Sequence, residues 1–272
     1  MPPISAGTPD DHAAKLGPAV TGFATVKGAA AFPAARIPRP TAERAQGMLR
    51  GEVAGIQALL RELSDAEWQR PAGSDRTVRD LVLGMICRYE EISGSGRMPP
   101  IREAADFRHR HLDHARAAAL AGQLIAELGY WAGQAAISSP RYRDRKASIF
   151  RPGAPATLTA SYLFRVILPR EAWLDRITIA EATGRPLAPG PYGAEIVRQA
   201  TRDISDTWAG PPVQVEITEA AGGRWLIADG TPVATVRADP AGYLRLITGH
   251  PAGQMESSGD TAAVAAFAAV PI

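Results

Sequence analysis

The chain has 272 residues, a formal net charge of +2 and a composition that is 46% hydrophobic, which is room for two modest domains that each bury a core. So small a net charge, with no stripe of clustered Lys and Arg interleaved with aromatics, excludes a field that recruits nucleic acid or an anionic membrane. No window approaches the roughly 18 apolar residues of a membrane-spanning helix. The opening residues also lack a basic start followed by an apolar run, so cytoplasm is the expected location. The single cysteine, Cys87, excludes an internal disulfide, fits a reducing interior and reads as core filler on a helix.

Residues 1–40 mix Pro, Gly, Ala and scattered charge and read as a flexible or surface-packed extension. From Thr41 the character changes. Met48, Leu49, Val53, Ile56, Leu59, Leu60 and Leu63 recur at three- and four-residue steps, which predicts a helix with one apolar face that ends at Ser64-Asp65. After a loop at residues 71–75, Val78, Leu81, Val82, Met85, Ile86 and Tyr89 form the stripe of a second helix, which stops at Ser93-Gly94. A third, long helix is expected from about Ala104 to Ile137, and a basic, Pro-containing connection covers residues 138–157. A fourth spans Leu158 to Thr183, kinked by Pro169 and stopped by Gly184. Four amphipathic helices with loops of this size predict a four-helix bundle over residues 41–188.

Beyond Pro189-Gly190-Pro191 the pattern shifts. One helix carries Ile196, Val197, Ala200, Ile204 and Trp208. Val213, Val215 and Ile217 then alternate with Gln214, Glu216 and Thr218, which is strand periodicity. Further strands are expected at residues 224–228 and 233–236, followed by helices from Asp239-Pro240 and from Thr261. Residues 189–272 therefore read as a small α+β domain, and the fold class as α plus α+β.

The ordered series Trp68, Arg70-Pro71, Thr77-Val78-Arg79-Asp80-Leu81-Val82, Glu171, Trp173 and Gly184…Pro186 resembles the mycothiol-dependent maleylpyruvate isomerase family of the DinB-like superfamily. Gly223-Arg224-Trp225, Asp239-Pro240, Tyr243-Leu244, Leu246, Gly249 and Gly259-Asp260 resemble that family's sterol-carrier-like carboxy-terminal domain. The resemblance covers residues 41–272. It implies a DinB-like bundle holding a divalent metal, often zinc, through a histidine on the second helix and a Glu-x-x-x-His pair on the fourth. The open coordination position would activate a thiol cofactor, mycothiol.

The chain departs from that pattern where the ligands belong. The histidine position of the second helix falls on Gly84, Glu171 matches the glutamate, and its histidine partner is Asp175. The arginine usual after the glycine of the tail motif is His250. A glycine offers no ligand atom, so the usual three-ligand set cannot form, and no metal is expected in that arrangement. Glu171 and Asp175, one helical turn apart, repel unless a cation or proton sits between them. Three solutions are open. A metal such as Mg or Mn is held with help from His111 or His114, which share a face of the third helix. An arginine (Arg76, Arg88 or Arg165) neutralises the pair. Or a raised pKa keeps one carboxyl protonated as a general acid.

The function this implies is action on a small molecule in a cleft between the two domains, by metal-independent acid–base chemistry: isomerisation, thiol transfer or a biosynthetic rearrangement. Glu171 and Asp175 serve as acid or base, and His250 orients an anionic substrate. The alternative is a small-molecule-binding or regulatory protein with a retired metal site. Trp68, Trp173 and Trp225 read as core and interdomain packing.

Overall fold

The computed structural model describes residues 30–73, 76–93, 111–127, 146–147, 158–187, 190, 192–218, 222–248 and 255–269. The architecture is mixed, with helices packed beside a five-stranded sheet.

Helix α1 (Ala42–Glu62) starts where Thr41 Oγ1 accepts the backbone N–H of Arg44 at 3.2 Å, an N-cap that satisfies one orphan donor. Its apolar face buries Met48, Leu49, Val53, Ile56 and Leu60. Ser64 does more than end it. With Glu67 it forms a capping box that opens a further helical turn, α2 (Asp65–Trp68). Helix α3 (Val78–Ser93) opens on a second reciprocal cap, in which Thr77 and Asp80 exchange hydrogen bonds of 2.8 and 3.2 Å.

Helix α4 runs only over His114–Glu127. The expected continuous helix from Ala104 is wrong at its start: residues 111–113 are not helical, and Asp113 caps the new helix by accepting the N–H of Arg116 at 2.8 Å. An aspartate in that role outcompetes helix continuation because its side chain replaces the missing backbone acceptor. Residues 104–110 and 128–137 lie outside the described residues.

The expected fourth helix is also divided. Leu158–Thr159 is a short strand, β3, paired antiparallel with β2 (Lys146–Ala147). A helical turn (Ala160–Tyr162), a π-helical stretch (Leu163–Ile167) and helix α5 (Leu168–Thr183) follow. The wider π turn directly precedes Pro169, which lacks an N–H and whose ring collides with the carbonyl one turn back; widening the helix relieves both. Gly184, at φ 68°, ends α5 in the left-handed conformation.

The sheet order is β1-β5-β4-β6-β7. Strand β1 (Phe32–Pro33) pairs parallel with β5 (Gly223–Ile227), and β4 (Val213–Ile217) lies antiparallel to β5 and parallel to β6 (Ala234–Ala238). The outer strand β7 (Met255–Gly259) pairs antiparallel with β6. Helices α6 (Gly193–Thr207), α7 (Pro240–Ile247) and α8 (Thr261–Ala268) complete this part. Residues 30–40 are integral here: Phe32 and Pro33 supply a strand, and Ala34 and Ile37 enter the core. The interior alternation of β4 places Val213, Val215 and Ile217 in the same core.

Two apolar clusters meet across α5. Leu168, Ala172 and Ile179 pack with α1, α3 and α4, whereas Trp173, Leu174 and Ile177 pack with the sheet, α6 and α7. Thirteen of its sixteen residues are buried, including Arg170, Glu171, Asp175 and Arg176. A helix buried to this extent tolerates charge in its interior only where that charge is paired. Arg176 meets Glu52 of α1 at 2.7 Å, with Glu52 fully buried. Gly55 makes the approach possible, because a Cβ there would stand 2.9 Å from the Arg176 stem. Burial pushes the Glu52 carboxyl up and Arg176 offsets part of that rise. Glu52→Leu, which takes from Arg176 its 2.7 Å carboxylate partner, is expected to cost roughly 3–5 kcal/mol in urea denaturation, and Glu52→Leu/Arg176→Leu to recover most of it. Equal losses in the single and double variants would contradict this coupling.

Candidate functional site

Helices α3 and α5 bring the site together. From α5 project Glu171 and Asp175, one turn apart and nearly sealed from solvent. From α3 comes Arg88, whose Nη1 lies 2.8 Å from Asp175 Oδ2 and 3.8 Å from Glu171 Oε2. The first contact is a charge-assisted hydrogen bond; the second is an ion-pair contact without hydrogen-bond geometry. Of the three arginines named from sequence, Arg88 is thus the one seated between the carboxylates. Arg165 instead reaches the Pro40 carbonyl at 3.4 Å. Arg76 donates to the Ala72 carbonyl at 3.2 Å and acts on Asp175 only through its field.

Gly84 stands one turn before Arg88 on the same face of α3. Among the described residues, a side-chain carbon placed there would meet nothing within 4 Å, so the position opens onto space that they leave free. Tyr89, fully buried beside Arg88, finds no hydrogen-bond partner for its hydroxyl among the described residues. Burial, with the fields of Asp175 and Glu171, holds that hydroxyl in its protonated form.

The electrostatics of the carboxylate pair are set by competing effects. Burial raises the proton affinity of Asp175 above an ordinary aspartate, Arg88 opposes the rise by field and hydrogen bond, and Glu171 adds to it as a like charge. The net direction is upward. Arg88 itself is held more firmly protonated, because attraction to Asp175 and Glu171 outweighs the desolvation that burial imposes.

The pair continues into a chain of charges that no sequence pattern reveals. Arg170 Nε lies 3.9 Å from Glu171 Oε1, and its Nη1 lies 3.4 Å from Asp203 Oδ2 on α6. Asp203 also binds Arg39, which reaches Asp206 at 2.6 Å and covers the Tyr162 ring at 5.3 Å. The carboxylate site is therefore tied to α6 and to residues 30–40 by alternating cations and anions. Arg39, Arg170 and Asp203 were invisible in the sequence because their pairing depends on which helices become neighbours.

The other residues singled out from sequence fall elsewhere. His111 is exposed and precedes α4, so it does not share a helical face with His114. His114 stacks on Trp68 with ring centroids 4.9 Å apart, and its Nδ1 lies 3.0 Å from Asp65 Oδ1. Glu171, Asp175, His111 and His114 are thus not gathered into one site. Among the described residues no three His, Cys, Asp or Glu side chains form a group able to hold a metal. His250 lies outside the described residues. At the three ligand positions of the metal implied by the resemblance stand Gly84, Glu171 and Asp175, with a guanidinium against the two carboxylates. That donor set does not fit a transition metal, since glycine supplies no ligand and Arg88 brings a fixed positive charge.

The fold is similar to that of the mycothiol-dependent maleylpyruvate isomerase, with a TM-score of 0.53 at 17% identity over 84% of this chain and 97% of the other. A histidine-to-alanine variant of that isomerase matches with a TM-score of 0.54 at the same identity and coverage. This is a distant structural relationship. No protein-family model matches the chain, and no curated protein matches it in sequence. Among the described residues no helix is long and apolar enough to cross a membrane.

The raised proton affinity of Asp175 has a measurable sign. Between the ordinary value of 3.8 and the higher folded-state value, the native protein binds more protons than the unfolded chain, so this group makes stability fall as pH rises. Asp175→Asn removes that contribution. Beyond any constant offset from losing the Arg88 hydrogen bond, the variant's stability relative to wild type is expected to improve as pH climbs from acid toward neutral. Urea denaturation across that range checks it; a difference that declines with pH would contradict the assignment.

Proposed function

We propose that the chain is a divergent member of the mycothiol-dependent maleylpyruvate isomerase family that acts on a small molecule by metal-independent acid–base chemistry. In this reading α1, α3, α4 and α5 belong to a DinB-like four-helix bundle over residues 41–188. Residues 189–272 form a sterol-carrier-like domain, and the protein works in the cytoplasm without nucleic acid or membrane as partner. One observation carries the proposal: Arg88 lies 2.8 Å from Asp175 and 3.8 Å from Glu171, beside the open space at Gly84.

The arrangement supplies what a proton shift needs. Asp175 holds a proton more readily than an ordinary aspartate, so it serves as the acid, and Glu171 is the second carboxyl, the base. Proton withdrawal from a substrate carbon by Glu171, with delivery from Asp175 to a substrate oxygen, gives the enol. Delivery of the proton from Glu171 to another carbon, as the enol O–H proton returns to Asp175, completes an isomerisation with no redox change and resets both carboxyls. An acid and a base held side by side are the usual requirement for such a division of labour. Arg88 keeps the pair from sharing an unbalanced charge and fixes its geometry. No step passes through a metal. Mycothiol, if used, would be a diffusible partner, with thiol transfer as the reaction class, and His250 would orient an anionic substrate.

A second reading is a small-molecule-binding or regulatory protein. The enclosure of both carboxylates and the ion-pair chain from Glu171 to Arg39 favour it, since they also suit a structural pin.

The test is mass spectrometry of a mycothiol-containing bacterial metabolite extract incubated with the protein. The proposal expects conversion of a metabolite to an isomer or thiol adduct, slowed by about 100-fold or more in Glu171→Gln and Asp175→Asn. Undiminished turnover in both variants would refute the acid–base roles; enrichment of a metabolite without turnover would favour the binding reading.

A further inference from the structure

A pocket of about 310 Å³ lies between the segment at residues 32–38, helix α6 and strand β5. It shares no lining residue with the carboxylate site. Its wall is mostly apolar, made by Phe32, Ile37, Pro38 and Trp225. The fold holds that wall in place. Strand β1 pairs with β5 and so brings residues 32–33 beside residues 225–226. Gln199 of α6 donates to the Pro38 carbonyl at 2.8 Å, and Arg202 donates to the Ile37 carbonyl, which fixes the same segment to the helix. The Trp225 indole lies over Gly223, where a Cβ would stand 2.4 Å from the ring, so a glycine there lets the indole stay in the wall. Trp225 is buried, whereas Phe32 is 41% exposed, one of only two large hydrophobics so exposed among the described residues.

The charged groups that complete the lining are already committed to one another or to neighbours. Glu195 Oε1 accepts from Gln199 Nε2 at 3.0 Å, and its Oε2 binds Arg198. Arg224 pairs across the β4–β5 ladder with Glu216 at 2.9 Å. A charged ligand would therefore lose its hydration in an apolar pocket without meeting an uncommitted counter-charge, which is unfavourable. An uncharged apolar ligand incurs no such cost. It removes the Phe32 ring from water and leaves each ion pair intact. The volume falls at the lower end of the range that takes small ligands, which limits the occupant to a compact one.

We propose that this pocket is a binding site for a compact, uncharged, apolar ring compound, seated against Ile37 and Trp225 and covered by Phe32, and that it discriminates against anions of the same shape. This site stands independently of the acid–base reading.

The full-length protein is titrated with N-phenyl-1-naphthylamine and, separately, with 8-anilinonaphthalene-1-sulfonate, the same ring system carrying a sulfonate. Probe fluorescence excited through tryptophan follows both. The expected result is saturable one-to-one binding of the neutral probe, about 10-fold or more tighter than the sulfonate, as desolvating a polar group without a partner would give. Phe32→Ala should weaken the neutral probe by about 10-fold, and Phe32→Leu, which keeps an apolar cover, should retain most of its affinity. Val233→Ala removes the other equally exposed large hydrophobic, which lies outside the lining, and should change nothing. Circular dichroism of each variant must match wild type; should Phe32→Ala disturb folding, the comparison of the two probes on the wild-type protein still decides. Absence of saturable binding, a sulfonate bound as tightly as the neutral probe, or equal losses in Phe32→Ala and Val233→Ala would each overturn the proposal.

Discussion

Two carboxylates one turn apart on an almost wholly buried helix cannot both be ionised without a cation at hand, and the rest of the site follows from how that need is met. The cation here is the guanidinium of Arg88. It comes from a neighbouring helix, so neutralising the pair also pins α3 to α5. The same logic repeats along α5. Arg176 is matched by Glu52, and Arg170 is shared between Glu171 and Asp203. A helix that serves as a core element for two apolar clusters at once has little solvent face on which to place charge, and the partners Arg88, Glu52 and Asp203 come from three different helices.

The consequence is that electrostatics, as well as apolar packing, joins the helical part to the sheet part. Trp173, Leu174 and Ile177 supply the apolar contact, while a charged line runs from Arg170 of α5 through Asp203 of α6 to Arg39. Any ligand that competes for Glu171 or Asp175 therefore perturbs a line of charge extending to residues 30–40. Removing one member takes a partner from a buried charge, which in a buried pair costs more than the intact pair contributes.

Local rules in the sequence went far. The stripes Met48 to Leu60 and Val78 to Tyr89, the stop at Gly184 and the alternation of Val213, Val215 and Ile217 all translate directly into elements. What failed was local competition between signals. Asp113 lies within a run that reads as one long helix, yet it caps a new one; Ser64, at a position that reads as a helix end, forms a capping box with Glu67. Strand β7 was missed because Met255-Glu256-Ser257-Ser258-Gly259 lies largely exposed and carries no apolar alternation. For the site, Gly84, Glu171 and Asp175 were legible as a departure from a metal-binding pattern, and Arg88 was one of three named cations. Which of the three would serve was beyond reach, since it depends on helix rotation and separation. The pairing of His111 with His114 failed for the same reason as the helix itself: Asp113 ends the register between them.

An arginine side chain, fixed in the protein, answers the Glu171–Asp175 pair where a metal ion otherwise could. Anomalous diffraction at the zinc and manganese absorption edges, from crystals grown with both ions present, tests it most directly. The account predicts planar guanidinium density from Arg88 against both carboxylates and no anomalous peak between them. A coordinated ion beside Glu171 and Asp175, with Arg88 turned away, would contradict it.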